Sequence, residues 1–164
     1  MDSLQQMYQQ VILDHAKKPH GRTPGAPEQL GAAASSVTEN GTMTATSHQV
    51  NPTCGDEITL TLKTKDGKIQ ELVWQGQGCS ISQASASVMT DLVSQAPLVH
   101  AKETEQLFFQ LMNSRGQGLD DDAEDELGDA VAFTGTSQYP ARIKCALLGW
   151  MALKDAIAKA ENDG

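Results

Sequence analysis

A chain of 164 residues with 39% hydrophobic content has room for one domain with a real core. Its formal net charge of -9 would repel phosphate backbones, which argues against nucleic acid as a partner and for a basic protein surface. No apolar run approaches the roughly 20 residues needed to span a bilayer, and residues 1–10 lack the pattern of a secretory signal, so no membrane partner and a cytoplasmic location are expected.

Leu4, Met7, Tyr8, Val11 and Ile12 share one face at helical spacing, and Pro19 marks where that N-terminal helix must have stopped. Residues 20–40 are rich in Gly, Pro, Ala and Ser without periodicity and read as a loop. From Thr42 the pattern alternates as in strands: Met43 and Ala45 between threonines, then Ile58, Leu60 and Leu62 between threonines again. Asp66-Gly67 signals a tight turn into a third strand ending near Gln75. Together these predict a three-stranded antiparallel meander with one face buried.

After Gly78 the pattern turns helical. Ile81, Ala84, Ser85, Val88 and Leu92 form a stripe that breaks near Pro97, and the small residues 84–87 would let another element approach closely. A second helix is predicted over roughly Thr104 to Met112. A last helix opens at Pro140, with Ile143, Leu147, Trp150, Leu153 and Ile157 as its buried stripe. The acidic, glycine-containing segment 114–129 between them reads as a solvated loop or partner-recognition insertion. The expectation is one α+β domain over 1–164, with helices packed on one face of the sheet.

An odd count of three cysteines argues against a disulfide framework in a reducing compartment. Each cysteine lies at a junction: Cys54 between the first two strands, Cys79 between the third strand and the first long helix, Cys145 in the opening turns of the last helix. If the helices cover one sheet face, the three junctions can meet at one end. Helix N-termini present partial positive charge to Cys79 and Cys145, and converging thiolates call for a soft cation such as zinc. Asp56, one glycine after Cys54, can complete a tetrahedron. The bland alternative is three unrelated buried thiols, and cysteine spacing alone does not exclude it, since no CxxC pair is present.

The surrounding words are more specific. Asn51-Pro-Thr-Cys-Gly-Asp56, the run Gly76 to Ser87 around Cys79, and Tyr139-Pro-Ala-Arg-Ile-Lys-Cys-Ala146 resemble the three cysteine motifs of the NifU N-terminal and IscU family. They are most similar to its SufU branch, as is the helix segment Tyr8 to His15. IscU-type scaffolds carry a His before the last cysteine where this chain has Lys144, and the longer stretch between the second and third cysteines also resembles SufU.

The resemblance implies an IscU/NifU-like fold. It also implies zinc on Cys54, Asp56, Cys79 and Cys145, and a role as sulfur acceptor for a PLP-dependent, SufS-type cysteine desulfurase. In that branch the desulfurase's own histidine takes one metal position on docking. The freed Cys54 would then accept persulfide sulfur, to be passed to downstream iron–sulfur assembly proteins. No stand-alone turnover is expected. The alternative is a scaffold that assembles and transfers an iron–sulfur cluster, with iron or a 2Fe–2S cluster on the same ligands. A third reading makes the metal purely structural.

Arg142, one turn before Cys145, could steady a thiolate or persulfide by charge, or stand exposed on a solvated face. Lys144 is expected to face solvent or a partner. His15, His20, His48 and His100 lack ligand spacing, Asp120 to Glu126 lack the regularity of a calcium loop, and Trp74 and Trp150 read as core.

Overall fold

A computed structural model of the chain describes residues 3–23, 35–37, 41–53 and 55–163. Four strands form one antiparallel sheet in the order β1-β2-β3-β4, with β1 at Ser35–Val37, β2 at Met43–Asn51, β3 at Asp56–Lys65 and β4 at Lys68–Gln77. β2 to β4 are the expected meander. The inward set Ala45, Leu60, Leu62, Leu72 and Trp74 is buried, and register pairs Leu60 with Ser47 on one side and Trp74 on the other. Asp66 and Gly67 both have positive φ, 55° and 75°, as the mirror-image hairpin turn requires.

The helices are α1 (Ser3–Lys17), α2 (Ser80–Val93), α3 (Leu98–Met112), α4 (Asp121–Leu127) and α5 (Pro140–Asp163), with short 3-10 segments at Gly128–Phe133 and Gly135–Gln138. α5 lies across β2 and β3, α2 runs beside it against β4, and α1 packs on the outside of α2, so helices cover one sheet face. The small residues of α2 do admit close approach: a Cβ on Gly149 of α5 would lie 3.3 Å from that of Ala86. Both tryptophans are fully buried. Trp150 stacks on Phe108 at 4.6 Å and donates its indole N–H to Ser85 Oγ (3.1 Å), whose hydroxyl in turn donates to the Ala146 carbonyl (2.6 Å).

Three sequence expectations change. Within the stretch read as loop, Ser35–Val37 pairs antiparallel with Val37 opposite Met43, adding an edge strand too short to show alternation. α3 begins at Leu98, six residues before Thr104, because Pro97 occupies the N-cap position and its fixed φ starts the turn instead of ending one. The acidic 114–129 segment is not a plain loop: Asp120 caps α4 by accepting the Ala123 N–H at 2.8 Å, and Asp121, Asp122 and Glu124 stand in its first turn, where the helix dipole favours negative charge.

Candidate metal centre

The sheet end nearest the helix N-termini is built by a turn and a glycine. Asn51, buried at the end of β2, accepts the Thr53 N–H on its side-chain oxygen (3.2 Å) and the Gly55 N–H on its carbonyl (2.9 Å). Gly55, at φ 74°, then turns the chain into β3, whose first residue is Asp56. Asp56 is on the inward face and only 3% exposed. Its carboxylate is held from across the junction between β4 and α2: Oδ1 accepts the Cys79 N–H at 3.1 Å, and the Cys79 thiol lies 3.6 Å from Oδ2.

Cys79 is the N-cap of α2 and makes no side-chain capping bond, which leaves its sulfur available. It is exposed, with Ser82 Oγ 4.0 Å from Sγ. The preceding Gly78 is sterically required. A Cβ there would meet Ser82 Oγ at 2.5 Å and Asp56 Oδ1 at 2.7 Å. Cys145 is buried in α5, on the turn after the Tyr139 carbonyl receives the Arg142 and Ile143 N–H groups. One ligand atom each from Asp56, Cys79 and Cys145 lies within 4.8 Å of the others. Two sulfurs and one carboxylate oxygen suit zinc and also accommodate iron, so the donor set fits the implied metal with one position left to fill.

Of the predicted site residues, the structure brings together Asp56, Cys79 and Cys145. Cys54 lies outside the described residues; its neighbours Thr53 and Gly55 are exposed. Arg142 is exposed and its guanidinium rests 4.6 Å over the Tyr139 ring. Lys144 is exposed, as expected. His48 pairs with Glu57 at 3.2 Å on the open sheet face, and His100 stands 3.9 Å from Glu126. Neither belongs to the cysteine group.

Two features escaped the sequence reading. His15 is buried, with Ser87 Oγ 2.6 Å from Nδ1; its signal was its place four residues after Val11 and three after Ile12, on the apolar stripe of α1. A groove lined by Leu4, Tyr8, Ile12, Ile81, Tyr139 and Arg142 runs between α1 and the segments that carry the cysteines. The α1 stripe was its signal: Leu4 and Met7 at the start of that stripe are about half exposed.

A family model described as the NifU-like N terminal domain matches residues 7–146. This chain belongs to that family, which holds both IscU-type and SufU-type proteins. Over 98% of its length it is 37% identical to the zinc-dependent sulfurtransferase SufU of Bacillus subtilis, covering 95% of that protein. It is 36% identical over 99% of its length to the iron–sulfur cluster assembly scaffold protein IscU of Streptococcus pyogenes, covering 89% of that chain. Among solved structures, a putative SufU scaffold protein from Fervidobacterium islandicum superposes with a TM-score of 0.68 at 30% identity, over 90% of this chain and 93% of that one. A NifU-like N-terminal protein from Brucella abortus, at 21% identity, shares the fold with a TM-score of 0.74 over 99% of this chain and all of its own. Identity alone does not separate the branches.

Proposed function

We propose that this chain is a zinc-dependent sulfur acceptor, taking persulfide sulfur from a PLP-dependent, SufS-type cysteine desulfurase for iron–sulfur cluster assembly. The observation that carries the reading is the Asp56–Cys79–Cys145 group beside an exposed Lys144. At the position where an IscU-type scaffold would offer an imidazole, this chain offers an ammonium that binds metal poorly.

In this reading Asp56, Cys79 and Cys145 hold the metal and Cys54 is its fourth ligand at rest. Bound zinc would neutralise the converging thiolates and shield them from oxidation. The residues of this chain do the rest. The Cys54 thiolate attacks the terminal sulfur of the desulfurase's cysteine persulfide. The S–S bond to the partner's cysteine breaks, that cysteine leaves as thiolate, and the sulfur stays on Cys54 as a new persulfide, with no net change in oxidation state. The Asn51–Gly55 turn suits Cys54 to this traffic, because its neighbours Thr53 and Gly55 are exposed. Arg142 can leave its stacking over Tyr139 and lend charge to a persulfide near Cys145. Downstream iron–sulfur assembly proteins would receive the sulfur in the reducing cytoplasm.

The test is activation of a purified desulfurase by the zinc-loaded protein. Wild type should stimulate cysteine turnover and acquire persulfide; Cys54→Ala should do neither while keeping metal.

The alternative reading, a scaffold that assembles and transfers an iron–sulfur cluster, draws on the IscU-named relative at nearly the same identity. Its signature would be a stable visible chromophore after anaerobic reconstitution with iron and sulfide, retained in preference to zinc.

A further inference from the structure

A second group of metal-competent side chains lies apart from the cysteines. His15 near the end of α1, His20 just past Pro19, and Asp91 on α2 each offer a ligand atom within 4.8 Å of the other two. The two imidazole rings sit edge to face with centroids 5.0 Å apart. His20 Nδ1 faces both carboxylate oxygens of Asp91, at 2.8 and 2.7 Å. We propose that these three residues form a second binding site for a divalent transition metal of the zinc class, sharing no ligand with the cysteine centre.

Two neutral imidazoles and one carboxylate are a donor set for zinc, cobalt, nickel or ferrous iron, and a poor one for calcium or magnesium, which prefer oxygen cages. Ligating histidines commonly have the second ring nitrogen fixed by a hydrogen bond, and His15 meets that condition on either side. Ser87 Oγ stands 2.6 Å from Nδ1, and Asp129 Oδ2 stands 3.4 Å from Nε2. Ser87 is itself held, since it also accepts the His20 backbone N–H at 2.8 Å. That bond ties the turn carrying His20 to the residue that orients His15. The anchor is rigid and buried, while His20 and Asp91 are about half exposed at the mouth. A cation would replace the proton now shared between His20 and Asp91. Their side chains, now 2.7–2.8 Å apart, would part by roughly 0.6 Å, because ligands about 2.0–2.1 Å from zinc stand roughly 3.4 Å apart in a tetrahedron. Water or Asp129 could fill the open position. Metal there would staple the end of α1 to α2, the helix whose N-terminus carries Cys79.

Titration of the full-length, zinc-free protein with cobalt(II) tests this under reducing, anaerobic conditions, with bound metal counted by elemental analysis. The first equivalent should bring thiolate-to-cobalt charge transfer. A second should bind without adding to that band, while shifting the His15 and His20 ring signals in NMR and raising the melting temperature. His20→Ala and Asp91→Asn change only exposed side chains, and each should abolish the second equivalent and its thermal shift while leaving the first intact. Binding of one equivalent only by wild type overturns the proposal. So does a second equivalent that persists in His20→Ala, or one that adds to the thiolate band.

Discussion

Asp56 and Cys79 grip each other twice: one carboxylate oxygen accepts the Cys79 backbone N–H at 3.1 Å and the other lies 3.6 Å from its sulfur. The same carboxylate therefore fixes the start of α2 and places its charge beside the thiol. Two substitutions separate these tasks. Asp56→Asn keeps an acceptor for the N–H but loses the anionic ligand, so it should hold metal far less well against a chelator while losing little stability. Asp56→Ala removes both and should also cost about 1–3 kcal/mol in urea unfolding. Equal stability loss in the two variants would show that charge, not the N–H bond, supports the junction.

Gly78 is the steric condition for that grip. Gly78→Ala places a methyl 2.7 Å from Asp56 Oδ1 and 2.5 Å from Ser82 Oγ, so the carboxylate or the α2 start must shift. The expected cost is about 1–3 kcal/mol, accompanied by weakened metal retention. Gly55→Ala is a useful contrast. A methyl there meets nothing within 4 Å, but φ is 74°, so the cost should be about 1–2 kcal/mol of backbone strain without a steric clash at the centre. Denaturant titrations with parallel metal analysis compare the two.

One hydroxyl ties the α2–α5 seam together in the core. Ser85 accepts from the Trp150 indole and donates to the Ala146 carbonyl, all in the core. Ser85→Ala strands the indole N–H and should cost about 1–3 kcal/mol by chemical denaturation. Ala146 adjoins Cys145, so metal retention should fall in the same variant.

Glu105 on α3 is buried, and burial raises its carboxyl above the ordinary 4.5 against the opposing pull of Lys154 and Lys102. A raised folded value means the native state holds this proton more tightly than the unfolded chain does. The group's favourable contribution is complete below pH 4.5 and is lost as pH rises through the higher folded value. At neutral pH Glu105→Gln should therefore be the more stable protein, and its advantage should shrink as pH falls toward 4.5. Melting curves across that range check the sign.

Much of this molecule was legible before its structure. Threonine-alternating strands, the Asp66-Gly67 turn and the small-residue stripe of α2 carry local signals, and each formed the element expected of it. The cysteine junctions were legible because each lies where a strand or helix begins, so topology alone draws Asp56, Cys79 and Cys145 together. What was missed depends on distant partners. β1 is defined only by pairing with β2. α4 has no apolar stripe and is marked only by its Asp120 cap and acidic first turn. His15, His20 and Asp91 span 76 positions and meet only because α1 packs on α2.

In the proposed function Cys54 carries sulfur while Asp56, Cys79 and Cys145 hold metal. Mass spectrometry of the zinc-loaded protein after incubation with a cysteine desulfurase and cysteine tests it most directly. Wild type should gain one sulfur on the peptide containing Cys54, and Cys54→Ala should retain zinc yet gain none. Persulfide on Cys79 or Cys145 in wild type, or undiminished sulfur uptake by Cys54→Ala, would contradict it.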